Sequence, residues 1–239
     1  MKVALISDIH GNIEAFDAVL DSYTSRGVGA CYCDGDIVGY GASPAECTRA
    51  LMRLHIHTVM GNHDNYVILV KLGHALSPIF ELRDDVIAGI RYAARSLDAD
   101  ELDFLLGLPM RHEEVAEGRR LLFVHGTPYN SLADYDIFHD MTSEDVQEDM
   151  LLKAGYPDVL VMGHSHYPSV TKFDGKLIVN PGSVGQPRDK DPRASYAILD
   201  TGGMDAEIVR VPYDIEAAAR RIIKAGLPRF SADRLSLGK

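Results

Sequence analysis

LISDIHGNIEAF, residues 5–16, is the stretch on which the fold turns. An apolar run stops at Asp8, His10 follows two residues later, and Gly11 and Asn12 open a segment with helical spacing. A strand that ends in a carboxylate and an imidazole has two accounts. In one, Asp8 caps a turn and His10 is a surface histidine. In the other, the strand end holds a metal ion. The rest of the chain decides between them.

Outward from this stretch, the first sixty residues alternate strand and helix. KVALIS is a short apolar strand, and the segment after Asn12 carries Ile13, Phe16, Val19 and Leu20 at helical spacing until Gly27 stops it. GACYC reads as a second strand and HTVMG as a third. Between them Ser43 and Pro44 form an N-cap followed by proline at the first helical position, with a helix to about Leu54. Such alternation implies parallel strands joined by right-handed crossovers. Residues 65–108 form a mainly helical excursion in which Asp98 caps a short helix. From Glu113 the pattern turns to strands, with Asp174-Gly175 as a hairpin turn. A last helix covers about 214–225, and the tail from about 227 to 239 is expected to be loose. With no repeat, low-complexity tract or linker in 239 residues, we expect a single domain over 1–239.

Composition excludes several classes. No apolar run approaches the 18 or so residues of a membrane span, and the apolar stretch before Asp8 is too short for a signal peptide. We therefore expect a cytoplasmic protein. Cys31, Cys33 and Cys47 make neither a disulfide framework nor a zinc Cys-x-x-Cys, and buried thiols suit them best. A net charge of −11 argues against a general nucleic-acid binder. It also means that any phosphate chemistry needs a local source of positive charge, such as metal ions.

The residues after each strand answer the opening question. Strand one ends in Asp8 and His10, strand two leads to Asp36, and strand three to Asn62, His63 and Asp64. RRLLFV ends at His125, and DVLVM ends in Gly163, His164, Ser165 and His166. In an α/β sheet these carboxyl ends share one edge, where ligands bind. A lone Asp or His at a strand end is commonly a turn or surface residue, but here all five would have to be so at once. The GHSH stretch misses the Gly-x-Ser-x-Gly nucleophile elbow at Tyr167, and histidines flanking Ser165 suit ligation better. Imidazole, carboxylate and amide donors without thiolate suit Mn, Fe or Zn, with Mn favoured. Seven such side chains are too many for one open ion and fit two divalent ions sharing a carboxylate.

The ordered series DIHGN, GDIVGYG, GNHD, VHG and GHSH resembles the calcineurin-like metallophosphoesterase superfamily, and NPGSVGQPRD resembles its small bacterial and archaeal phosphodiesterase branch. The resemblance runs from residue 2 to about 211. It implies a four-layer α/β/β/α sandwich with mixed sheets and a dinuclear centre at the sheet edge. It implies that Asp8, His10 and His166 hold one ion, that Asn62, His125 and His164 hold the other, and that Asp36 bridges them. A hydroxide between the ions would attack phosphorus in line. His63 would be a catalytic histidine rather than a ligand, with Asp64 orienting it through a hydrogen bond. Met60 and GDIVGYG stand where protein Ser/Thr phosphatases of the superfamily carry an Arg and GDxVDRG. Tyr40 replaces the arginine usual in the symmetrical dinucleoside tetraphosphatases.

Arg188 is a candidate bidentate donor to a substrate phosphate, against a surface pairing with Asp189 or Asp191. Tyr40 is a candidate to flank a base or aryl leaving group, and residues 127–138 are a candidate lid. His55, His57, His74, His112 and His139 fall outside the motifs. The expected function is a metal-dependent phosphoesterase on a small phosphate ester, leaning to phosphodiesters. A phosphomonoesterase or nucleotide pyrophosphohydrolase would use the same site. A non-catalytic scaffold of this fold, as in a retromer coat subunit, is disfavoured by the intact ligand set. A homodimer is compatible with the sequence, which leaves the oligomeric state open.

Overall fold

The computed structural model describes residues 1–76, 82–132 and 143–239. Period-two alternation along its strands explains how two sheets come to lie face to face. In β1 (Lys2–Ile6), Val3 and Leu5 point one way and Ala4 and Ile6 the other, all fully buried. Val3 and Leu5 meet Leu121 and Phe123 of β5 (Arg119–Val124), Val159 and Val161 of β6 (Val159–Met162), and Leu177 and Val179 of β8 (Lys176–Asn180) in a core between the sheets. Ala4 and Ile6 face an outer cluster with Phe16 and Val19 of α1 (Ile13–Ser25) and Leu51 of α2 (Pro44–Leu54). On the far side, Leu122, Leu160 and Ile178 pack on Met150 and Leu151 of α6 (Glu144–Lys153). Strands buried on both faces are the reason these segments read as unbroken apolar runs. The result is the α/β/β/α sandwich.

The first sheet has order β10-β9-β1-β2-β3, where β2 is Ala30–Cys33, β3 His57–Thr58, β9 Ala194–Asp200 and β10 Asp205–Val211. β1, β2 and β3 are parallel, and β9 and β10 join antiparallel. The second has order β4-β5-β6-β8-β7, with parallel β5, β6 and β8 between antiparallel edges β4 (Arg111–Ala116) and β7 (Ser169–Phe173). Both sheets are mixed. Asp174 and Gly175 have φ of 47° and 71°, the pair of positive values a type I′ hairpin turn requires.

The helical excursion forms α3 (Asn62–Lys71), α4 (Asp84–Ser96) and α5 (Ala99–Leu106). Its position matters for the site. Gly89 of α4 lies so near the loop after β2 that a Cβ there would meet the Tyr40 amide nitrogen at 2.6 Å. Asp98 caps α5 as expected, accepting from the Glu101 amide. Ser43 precedes α2 without a side-chain cap bond, while Pro44 takes the first turn.

The expectation of a loose tail is corrected. Residues 229–237 form α8 (Arg229–Asp233) and a closing 3₁₀ turn, Arg234–Leu237. Leu227, Ala232 and Leu235 pack against Ala218 and Ile222 of α7 (Ile215–Lys224). Leu227 and Leu235 are 7% and 4% exposed, so each contributes about 2 kcal/mol of apolar burial. Their spacing is too irregular to read as one amphipathic helix, so the sequence hides the segment. Of the candidate lid, residues 127–132 form a turn in which the Thr127 amide donates to the Asn130 carbonyl. Residues 133–138 and His139 lie outside the described residues. No helix among the described residues is long and apolar enough to cross a membrane.

Candidate metal centre

The carboxyl ends of β1, β2 and β3 from one sheet and of β5 and β6 from the other converge on one edge. Backbone bonds zip their loops together. The Asp8, His10 and Gly11 amides donate to the carbonyls of Gly35, Asp36 and Ile37. The Gly163 amide donates to the His125 carbonyl, and the His164 amide to Asp8 Oδ2 at 3.0 Å, which ties the sheets to each other. Asp8, His10, Asp36, His164 and His166 have φ of 54°, 49°, 53°, 65° and 63°. The left-handed region costs a non-glycine residue about 1–2 kcal/mol, and such strain gathers where the surroundings hold side chains for function. Gly61 and Gly163 make the room: a Cβ on Gly61 would meet Asp36 Oδ1 at 2.1 Å, and one on Gly163 the Ser7 Oγ at 2.1 Å.

The structure brings the expected donors together in buried groups. Ligand-type atoms of Asp8, His10 and His166 lie within 4.8 Å of one another, as do those of Asp36, His125 and His164. Asp36 joins the groups, with Oδ2 3.6 Å from His10 Nε2 and 3.4 Å from His125 Nε2. Asn62 Oδ1 stands 3.1 Å from His125 Nε2. Backbone carbonyls orient three of the rings. Nδ1 of His10, His125 and His166 donates to Val38, Asp34 and Gln186 at 3.2, 2.6 and 2.5 Å. That assigns the Nε2 lone pairs to the interior.

Two features match this set to cations. Nε2 of His10 and of His166 face each other at 3.1 Å with both Nδ1 protons committed elsewhere, an arrangement of two ring nitrogens that a shared cation would bridge. Asp8 Oδ1, fully buried, accepts no hydrogen bond, though His166 Nε2 lies 3.3 Å away. Nitrogen and oxygen donors without sulfur fit a divalent ion of borderline softness.

The electrostatics agree. Burial would raise Asp36, but His125, His63 and His10 outweigh it and hold the carboxyl below the usual range. Burial would lower His125, but Asp36 and Asp8 lift it to about 10. A proton there does what a metal would do among these carboxylates. Burial above all, with neighbouring cations, lowers His63 to about 3 and His164 to about 4, and it holds His166 well below the usual range. These are neutral rings, the form in which imidazole binds metal.

One expected role is corrected. Asp64 does not orient His63. Its Oδ1 accepts from the Ile37 and Val38 amides at 2.9 and 3.2 Å and its Oδ2 from the Gly61 amide at 3.0 Å. As the third residue of α3 it reaches back to the helix N-terminus, the usual partner for an early-turn carboxylate, and so pins the loops after β2 and β3 together. His63 Nδ1 is buried without a hydrogen bond, and its ring lies 4.6 Å from the Tyr40 ring and 4.8 Å from that of His10.

The two outlying candidates meet each other. Arg188 Nη2 donates to Tyr40 Oη at 3.2 Å and to Gln186 Oε1 at 3.0 Å. Arg210 pairs with Asp189 and Arg193 with Asp191. Sequence reasoning missed Gln186, Asn180 and Arg234. Gln186 and Asn180 belong to NPGSVGQPRD, and Asn180 holds the Gly163 carbonyl at 2.8 Å, so that stretch carried the signal. Arg234, 8% exposed with its guanidinium 5.7 Å from the Tyr40 ring centroid, had none.

Against known proteins, residues 1–204 match the model of the calcineurin-like phosphoesterase superfamily domain. The chain belongs to that superfamily, whose members depend on metal ions. It is 37% identical over 252 aligned positions to an uncharacterized protein of Methanocaldococcus jannaschii, MJ0912, covering 99% of this chain and 98% of that one. It is 24% identical to the phosphodiesterase YfcE of Escherichia coli K12, over 84% of this chain and 88% of the other. The crystal structure of a metallophosphoesterase from Sphaerobacter thermophilus superposes over the whole of both chains at 30% identity, with a TM-score of 0.82. A hypothetical protein of Pyrococcus horikoshii, PH1004, shares the fold with a TM-score of 0.89 at 22% identity, over 100% of this chain and 98% of that one.

Proposed function

We propose that the protein is a dinuclear metallophosphoesterase that hydrolyses small phosphate esters, diesters in preference to monoesters, in the cytoplasm. The observation that carries this reading is Asp36 Oδ2, which lies between His10 Nε2 at 3.6 Å and His125 Nε2 at 3.4 Å and so links two separate donor groups. Asp8, His10 and His166 would hold one divalent ion, and Asn62, His125 and His164 the other, with Asp36 shared. When bound, such ions act as Lewis acids on the phosphoryl group and lower the pKa of water towards neutrality.

The chain's own groups do the rest. Asp36 keeps its second oxygen on the His63 amide at 2.8 Å, so the shared carboxylate also sets the start of α3. His63, neutral through burial, gains its proton more readily as a phosphate brings negative charge into the pocket, and would protonate the leaving oxygen. Arg188 offers a planar donor pair to a phosphate group of the substrate. The lean to diesters is supported by the name of the Escherichia coli relative. Free Cys31, Cys33 and Cys47 are consistent with a reducing compartment.

The test is metal-stripped protein reloaded with Mn²⁺, Zn²⁺, Fe²⁺, Ni²⁺ or Mg²⁺ and assayed in parallel on bis-p-nitrophenyl phosphate and p-nitrophenyl phosphate. Restored turnover with diester above monoester is the expected result. A monoester preference would overturn the diester assignment, and no turnover with two ions bound would overturn the enzyme.

A further inference from the structure

The C-terminal segment is folded, lies beyond residues 1–204 that match the family model, and reaches the edge of the metal centre. Two guanidiniums bracket one aromatic ring there. Arg188 Cζ lies 5.8 Å from the Tyr40 centroid and Arg234 Cζ 5.7 Å from it. Tyr40 is 6% exposed, and its far neighbours are the His63 and His10 rings at 4.6 and 4.8 Å. The ring thus neighbours both a pair of cations and the candidate catalytic histidine. Cations over aromatic faces are attracted to them, but two cations on one ring also repel each other.

The segment's far end is latched to the loop that carries Arg188. The Lys190 amide donates to the Gly238 carbonyl at 2.9 Å. Gly238 has φ +59°, and a Cβ there would meet the Asp191 amide nitrogen at 2.7 Å. Asp85, 4.0 Å from Arg234, is held by Arg83 at 2.9 Å, and Asp189 and Asp191 are held by Arg210 and Arg193. In a chain with net charge −11, two arginines converging beside a buried site is a local reversal of the molecule's charge.

We propose that the C-terminal segment completes the active site, with Arg234 bracing Tyr40 and Arg188 into a cationic subsite that takes a second phosphate group of the substrate. This rests on the phosphoesterase reading and names its substrate class: small phosphate esters that carry another phosphate near the one attacked. Arg188 makes the contact. Arg234 is a positioning residue, acting through the Tyr40 ring. A phosphate bound at this subsite offsets the repulsion between the two guanidiniums and accepts from Arg188 in the bidentate geometry that guanidinium favours.

The experiment compares two chromogenic diesters with Mn²⁺-loaded full-length enzyme: thymidine 5′-(4-nitrophenyl phosphate) and the same compound bearing a 3′-phosphate. The expected result is a KM about tenfold lower for the 3′-phosphorylated substrate, with kcat changed little. Arg188→Gln and Arg234→Gln each reduce that preference towards one, Arg234→Lys restores part of it, and added salt weakens it in the wild type. Melting curves check that each variant is folded. If Arg234→Gln does not fold, Tyr40→Phe, which keeps the ring and removes the oxygen held by Arg188, takes its place and must lower the preference. Equal KM for both substrates in the wild type, or a folded Arg234→Gln that keeps the full preference, overturns the subsite and leaves the phosphoesterase standing. Absence of turnover on both substrates overturns the phosphoesterase reading itself.

Discussion

Asp36 is the residue with the most consequences, because one carboxylate faces two sets of nitrogens and also accepts from the His63 amide. Asp36→Asn keeps the shape and removes the charge. We expect metal content by atomic emission to fall below one ion per chain and diester turnover to drop at least about 100-fold. Full metal content with normal turnover would show that Asp36 is not shared. His63→Ala differs in kind. Its ring also comes within ligand range of His10 and Asp36, but Asp8, His10, His166, Asn62, His125 and His164 leave each ion three donors besides Asp36, so both ions should stay while turnover falls by about 10²–10⁴. The loss should be greatest for poor leaving groups, which need the proton most. A matching loss of metal would make His63 a ligand instead.

Between residue and fold lie the loops that carry the site, and their glycines separate two kinds of constraint. Gly61, just before α3, has φ −92°, which any residue adopts, yet its Cβ position is filled by Asp36. Gly61→Ala should therefore cost about 1–3 kcal/mol through overpacking, and it should lose metal affinity because the displaced atom is Asp36 Oδ1. Gly73, after α3, has φ +86° and open space around it. Gly73→Ala should cost about 1 kcal/mol from backbone conformation alone and leave metal binding and kinetics as they were. Urea denaturation beside metal titration of both variants checks the contrast; equal metal affinity in the two would refute the steric account.

At the scale of the molecule, the strained loops and inward-facing donors are held by two cores and tightened by whatever occupies the centre. Stripping the ions should lower Tm. At a free ion concentration of about 100 Kd, one ion stabilises by about 2.7 kcal/mol, a shift of about 5–10 °C for a chain of this size. An unchanged Tm after chelation would argue against a metal bound by the native state alone. The buried thiols give a second, metal-independent signature. Burial holds Cys47, fully buried on α2, and Cys33, 1% exposed on β2, well above the ordinary thiol range. Their protonated form is favoured by the fold, so the unfolded chain releases these protons first, from about pH 8.5 upward. Stability is complete below that pH and declines above it. The urea midpoint of stripped protein should fall between pH 8 and 10, and Cys47→Ala, though less stable at pH 7, should show a shallower decline. An unaltered slope in that variant would exclude the thiol.

Much of this was legible in the chain alone. Runs such as KVALI and RRLLFV, each leading to Asp or His, determined strands with donors at one edge, because the carboxyl ends of parallel strands share the edge at which ligands bind. The resemblance of the ordered motifs to the superfamily then singled out Asp8, His10, Asp36, Asn62, His125, His164 and His166, and the fold brings their ligand-type atoms close together. What sequence does not encode locally is direction across space. Asp64 follows His63 in the chain, but the helix start turns its carboxylate back onto the amides of Ile37, Val38 and Gly61. The tail, with no periodicity to mark it, is ordered because Leu227 and Leu235 find Ala218 and Ile222, a long-range burial that no window of residues displays. The meeting of Arg188, Tyr40 and Arg234 likewise joins segments nearly 200 residues apart. Donor identity was written in the sequence; which donor faces which was decided by packing.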